Sequence, residues 1–290
     1  MALPAATVNA TSAQQRLTVA ALVALRRAWA QMGPDFTPSW RRVGPMLVVI
    51  LAGAQLRSAR NGAEYVPAVL EETGQGAESV AIVEARRFSG VASDGRRLDD
   101  LLFGAVTTAR AAVGAGSDFR VGLRRGESWL AMAAATQVSD AFRGGTLTAM
   151  AARPAVSGYV RALQTPSCAR CAILAGRWYR MADAFDRHPR CDCKHLPVAE
   201  ADAGPYVTSP RAAYEAGQID GLTEGERAAL DAGGDMSRIV NARRGASGLR
   251  GLTTTELRGR GRRLTPEGIL RTARSREHAI ELLTTHGYLR

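Results

Sequence analysis

The stretch Cys168-Ala-Arg-Cys171, followed by His188-Pro-Arg-Cys191-Asp-Cys193-Lys-His195, decides the reading of this chain. All four cysteines of its 290 residues lie there, within 26 positions. Cys-x-x-Cys puts two thiols on one tight turn, the usual first half of a zinc site. The second half begins after a gap of 16 residues, which suits a loop or hairpin folding back on the first turn. Zn²⁺ takes four N/S ligands in a tetrahedron at about 2.0–2.3 Å. Six candidates are present, so two are spare. The expected set is Cys168, Cys171 and His188 with either Cys191 or Cys193, and His195 is the least favoured.

Other chemistries compete for the same residues. A redox Cys-x-x-Cys belongs in a βαβ setting, which the flanking sequence lacks. A disulfide framework belongs in an oxidising compartment. Clustered thiols without metal remain a third reading. A catalytic zinc needs an open position beside a general base, for which Asp183, Asp186 or Asp192 would have to serve. The expectation is one structural Zn²⁺ that fixes a loop-rich segment too small to bury a core of its own. Trp178 and Tyr179 are expected to pack over the metal loop.

Outward from the cluster the pattern changes on both sides. Tyr159, Val160 and Leu163 predict a short strand leading in, and Pro197 closes the segment. Upstream, 1–155 has helical apolar periodicity. Thr11 with Gln14 reads as a capping box, and Leu22, Leu25, Trp29 and Met32 share one face. Gly33-Pro34 ends that helix and Thr37-Pro38 begins the next, with Pro45 a candidate kink. Helices are predicted over 98–113 and 128–142, with Gly144-Gly145 as a break. Downstream, Thr223 with Glu226 is a second capping box, and Thr265-Pro266-Glu267 starts a terminal helix with Ala279, Leu282 and Leu283 on its apolar face. The expected fold is mainly α. It comprises a helical N-terminal region, a small zinc-stabilised α+β module over 156–235, an Arg/Gly-rich arm over 236–263, and C-terminal helices over 264–290.

Charge points to a polyanionic neighbour. The formal net charge is +11, and Lys194 is the single lysine among 38 basic residues. Arg238, Arg243, Arg244, Arg250, Arg258, Arg260, Arg262 and Arg263 face one acid, Glu256, in the arm. Such a run suits nonspecific contact with double-stranded DNA phosphates, although charge runs are often only solvated loops. The first residues lack the pattern of a secretory signal, and no apolar window is long enough to span a membrane, so a cytoplasmic origin is expected.

The segments beginning at Gly158-Tyr-Val-Arg-Ala-Leu, Cys168-Ala-Arg-Cys171-Ala-Ile-Leu-Ala-Gly176-Arg-Trp-Tyr and His188-Pro-Arg-Cys-Asp-Cys193 resemble the Mu F-like minor head proteins of tailed phages, most of all those of actinobacterial phages. The stretches from Asp235 to Gly245 and from Arg263 through Leu289 resemble the same group, so the likeness covers roughly 156–290. It implies a virion protein present in few copies, at the inner face of the head near the portal. Its partners would be the portal protein, the major capsid protein and packaged DNA. Proteins of this kind are often labelled capsid maturation proteases. A protease needs a nucleophile, a base and usually an orienting acid. The only histidines are His188, His195, His278 and His286, and no Gly-x-Ser-x-Gly elbow is present, so no catalytic residue is assigned. A zinc-ribbon DNA-binding protein is a further alternative, but no base-reading helix stands out.

Overall fold

The structure is a computed structural model. It describes residues 3–163, 167–183, 193–207, 209–233, 236, 253–254, 263–264 and 266–289. The chain is mainly helical, with a small antiparallel sheet set into one end.

Three long helices make the frame. α1 (Ala5–Trp29) and α2 (Phe36–Glu72) form an antiparallel hairpin, and α5 (Phe119–Ala151) packs along α2. The short α3 (Leu98–Leu102) and α4 (Gly104–Gly114) lean on α5. Small residues set these distances. A Cβ on Gly62 would lie 2.1 Å from the Phe142 carbonyl oxygen, and one on Gly145 would lie 2.2 Å from that of Ala59. Gly126 approaches the Ala105 carbonyl in the same way, with 2.7 Å to a built Cβ. The close crossing admits polar rungs: Ser58 Oγ donates to the Val138 carbonyl (2.7 Å) and Thr146 Oγ1 to that of Gly62 (3.1 Å).

Three local expectations are corrected here. Gly144-Gly145 is not a break, because α5 runs through it and the missing side chains admit α2 and the Phe88 ring. Thr11 with Gln14 is not a helix start. α1 begins at Ala5, where the Glu72 carboxylate accepts from the Ala5 and Ala6 amides (2.6 and 2.8 Å). The predicted helix over 98–113 is divided at Phe103.

The sheet has the order β3-β1-β4, all antiparallel: β1 is Gly158–Ala162, β3 Trp178–Arg180 and β4 Lys194–Pro197. β2 (Ser167–Cys168) pairs in parallel with β5 (Ile219–Asp220). α6 (Ala169–Ala172), α7 (Pro210–Glu215) and α8 (Glu224–Asp231) complete this part, and α8 opens on the predicted Thr223–Glu226 capping box. In the Arg-rich stretch, β6 (Thr253–Thr254) pairs with β7 (Arg263–Leu264). α9 (Pro266–Thr272) and α10 (Arg276–Thr285) then return to α5.

One continuous core runs from Tyr65, Val66 and Leu70 of α2 through Phe142 and Met150 of α5, Val160 and Leu196 of the sheet, to Ile269 and Leu283 at the C-terminal end. A second cluster fills the far end of the helical frame around Trp29, Leu47, Leu102 and Leu130. No helix among the described residues is long and apolar enough to cross a membrane.

Candidate metal centre

Strand pairing fixes where the cysteines lie. Ala162 at the end of β1 pairs with Lys194 at the start of β4, so Cys193 enters the sheet at that end. The chain leaving β1 reaches Cys168 six residues on, and the turn after α6 comes back to the same end, where the Gly176 amide donates to the Arg161 carbonyl (3.1 Å). Cys168, Cys171 and Cys193 are therefore carried by segments that meet at one end of the sheet.

Cys168 is the N-cap residue of the single-turn α6 and Cys171 lies three positions on, which puts both sulfurs on one side of the turn. β2 anchors this turn through its pairing with β5, and the Ser167 amide donates to the Gln218 carbonyl (3.2 Å). Gly176 supplies the left-handed φ of +64° that turns the chain back to the sheet. Cys171 and Cys193 are fully buried and belong to the continuous core, whereas Cys168 is half-buried against it. Cysteine sulfur, in its thiolate form, is a ligand for a soft or borderline ion such as Zn²⁺.

Among the described residues no three His, Cys, Asp or Glu side chains form a group that could hold a metal. His188, Cys191, Asp186 and Asp192 lie outside the described residues, as do Arg238, Arg243, Arg244, Arg250, Arg258, Arg260 and Arg262 of the arm. Arg263 is placed only by its backbone, in β7. His195 is in the body of the sheet, opposite Arg161. It is buried, and its ring meets that of Tyr159 edge-on with centroids 4.5 Å apart. Asp183 is placed at the end of the turn after β3, its amide donating to the Arg180 carbonyl.

Trp178 and Tyr179 are held by the sheet and the segments beside it. Tyr179 stacks on its cross-strand partner Tyr159 at 5.5 Å and donates to the Leu174 carbonyl, while Trp178 Nε1 donates to that of Val198 (3.0 Å). Burial holds the Tyr179 phenol above its usual pKa, against the opposing pull of Arg161 and Arg177.

Two buried cations, Lys194 of the sheet and Arg143 of the helical frame, were not singled out as site residues by the sequence reading. Lys194 reaches from β4 toward the helices, where Nζ lies 3.4 Å from Gln14 Oε1 and 4.7 Å from the Phe142 ring centroid. Arg143, in the interior of α5, is 2% exposed. Its Nη1 donates to Asp140 (2.9 Å), Nε to the Cys193 carbonyl (3.3 Å) and Nη2 to the Cys193 sulfur (3.8 Å). The signal that could have found it is the Asp140–Arg143 spacing, but that spacing is shared by many solvated helix pairs.

Ser167 Oγ is buried and makes no hydrogen bond among the described residues, and His278 Nδ1 accepts from the Arg274 amide. The chain matches no protein-family model, no curated protein and no solved structure.

Proposed function

We propose that this chain is a structural minor head protein of a tailed phage, held near the portal and the packaged DNA, with its Cys/His segment closed around one structural Zn²⁺. What supports the metal reading is the Cys-x-x-Cys turn at Cys168 and Cys171, carried by a segment that returns to the end of the sheet at which Cys193 enters. The groups proposed to hold the ion are Cys168, Cys171 and His188 with either Cys191 or Cys193. Zinc would supply a cross-link between a short turn and a strand. The head assignment rests on the resemblance of 156–290 to the Mu F-like proteins. The helical frame is the proposed portal and coat contact, and the Arg-rich stretch the DNA contact.

Elemental analysis of protein purified under reducing conditions, with a melting curve before and after chelation, tests the metal. About one zinc per chain and a lower melting temperature on chelation are expected. Metal-free protein that melts unchanged after zinc is added would overturn it. Quantitative mass spectrometry of purified virions tests the location, where a few copies per particle are expected and absence of the chain sinks the assignment.

DNA contact has its own readout. Binding to random duplex should weaken steeply with salt, each phosphate contact contributing a slope of about 0.9 in log K against log salt. Replacing Arg258, Arg260, Arg262 and Arg263 by Gln should flatten that slope. Salt-independent binding, or none, contradicts the contact.

A further inference from the structure

We infer that the outer face of the α1–α2 hairpin is a docking surface for an acidic amphipathic helix of a partner protein. This narrows the protein contact proposed above for the helical frame to one face, and rests on that reading for the expectation of a protein partner.

Between Ala5 and Ala63 stand seven arginines and one acid, Asp35. Helical period sorts arginines and apolar residues into two stripes. On α2, Arg42, Met46, Val49, Gly53, Arg57 and Arg60 follow one another at steps of three or four, and all are exposed. On α1, Arg16, Ala20, Val23 and Arg27 do the same. The Thr7–Tyr65 and Gln31–Arg42 contacts fix the antiparallel register of the two helices. That register sets Ala20 level with Gly53, and Val23 level with Val49. The apolar positions thus form one central strip. It is closed by Arg16, Arg57 and Arg60 at one end and by Arg27 and Arg42 at the other. The inner side of the hairpin is taken by α5.

Two features of the strip suit a helix. Val49 is 72% exposed, with Met46 and Val23 also exposed beside it, and removing such surface from water favours docking. Gly53 lies in the interior of a long helix, where glycine costs stability, yet a Cβ there would meet nothing within 4 Å. Gly62 and Gly145 of the same frame offset that cost by admitting the backbone of a neighbouring helix. Gly53, with Ala20 level with it, offers the same shallow seat to a helix from outside. Charge then selects the partner. Among the described residues only Arg26 of these seven arginines is in an ion pair, with Glu127. Guanidinium groups take carboxylates through paired, charge-assisted hydrogen bonds. A second copy of this face would be repelled by like charge. A DNA duplex would use the arginines and leave Val49 and Met46 without an apolar partner. From Arg42 to Arg60 the strip spans about 27 Å, or about five helical turns. The partner is therefore a helix of about 18 residues with an apolar seam and carboxylates toward both ends.

The test uses the full chain and a labelled synthetic helix of about 20 residues, with a Leu/Ala seam and Glu on its outer turns, read by fluorescence anisotropy. Wild type should bind it with a dissociation constant below about 1 mM, and should not bind the same peptide with Lys for Glu. Gly53→Leu, which fills the seat, and the double variant Arg57→Glu, Arg60→Glu should each weaken binding about 10-fold or more. The charge-reversed chain should gain the Lys peptide. Gly53→Ala separates docking from stability, because alanine favours the helix of the free protein and still narrows the seat. Its melting temperature should rise while its affinity falls. Arg110→Glu, exposed on α4, should leave binding unchanged. Where Gly53→Leu does not fold, Gly53→Ala and the charge-reversed chain decide. Wild-type affinity in those variants, equal binding of the Lys peptide, or no binding of the acidic peptide overturns the inference. Random duplex DNA or phosphatidylglycerol vesicles held by this face in place of the acidic peptide also overturn it, by naming another occupant. Virions that lack the chain sink the head assignment while peptide binding stands, and virions that carry it beside an unbound peptide sink this contact alone.

Discussion

At the residue scale, the helical frame depends on glycines that admit a neighbouring backbone. Gly62 and Gly145 face carbonyl oxygens of the opposing helix, at 2.1 and 2.2 Å from where a Cβ would sit. Gly145→Ala should therefore destabilise the fold by about 1–3 kcal/mol, the usual cost of overpacking. Gly53, exposed on α2 with open space around its missing side chain, is the control. Gly53→Ala should stabilise by about 0.5–1 kcal/mol, and urea titration of the two variants reads both. A second residue-scale effect concerns alkaline pH. Tyr65 is buried with its hydroxyl 3.0 Å from Thr7 Oγ1, and burial raises its pKa above the ordinary 10.0. The folded state thus favours the protonated phenol. The contribution is intact below pH 10 and falls as pH rises beyond it. Tyr65→Phe should move the alkaline unfolding transition upward while costing about 0.5–1.5 kcal/mol near neutrality through the lost hydrogen bond. An alkaline transition that moves down instead would contradict this. The cysteine turn was legible at this scale from spacing alone. Arg143 was not, because burial of an arginine in a helix is set by what packs over it and not by its neighbours in sequence.

At the element scale, local signals and long-range contacts divided the helix ends between them. The start of α8 was legible because Thr223 and Glu226 satisfy each other's backbone partners within one turn. Thr223→Ala should cost about 0.5–2 kcal/mol in a thermal melt. The start of α1 was not legible, since its first amides are capped by Glu72, 67 residues away. Thr11 and Gln14 are instead buried on the inner face of α1. Gly144-Gly145 carries helix-breaking propensity of about 1 kcal/mol per glycine. The crossing with α2 outweighs it, because only a surface without Cβ atoms lets the two backbones approach.

At the scale of the whole molecule, the terminal helices close the core. Arg276 donates to the carbonyls of Arg153 and Val156, the Glu84 amide donates to the Tyr288 carbonyl, and the Phe88 and Tyr288 rings lie 5.1 Å apart. The Cys168–Cys171 turn, the sheet and the C-terminal helices share one cluster with α2 and α5. Leu283→Ala, at a fully buried position, should cost about 2–5 kcal/mol. It should shift far-UV circular dichroism and tryptophan fluorescence by the same amount, as one transition. Two separated transitions would show that the sheet region melts apart from the helical frame. Chelation is expected to move the same single transition.

The sequence by itself determined the mainly helical class, the strand leading into the cluster, the second capping box and the terminal helix start. These are properties of neighbouring residues: apolar period and cap chemistry act within a few turns of chain. Only the tertiary structure decided that α5 runs unbroken through two glycines and that Glu72 sets the start of α1. It also decided that a buried guanidinium aims at Cys193, and that the C-terminal helices seal the core of the N-terminal frame. Each of those outcomes depends on groups dozens of residues apart meeting where water is excluded, and chain-local preferences carry no record of such meetings.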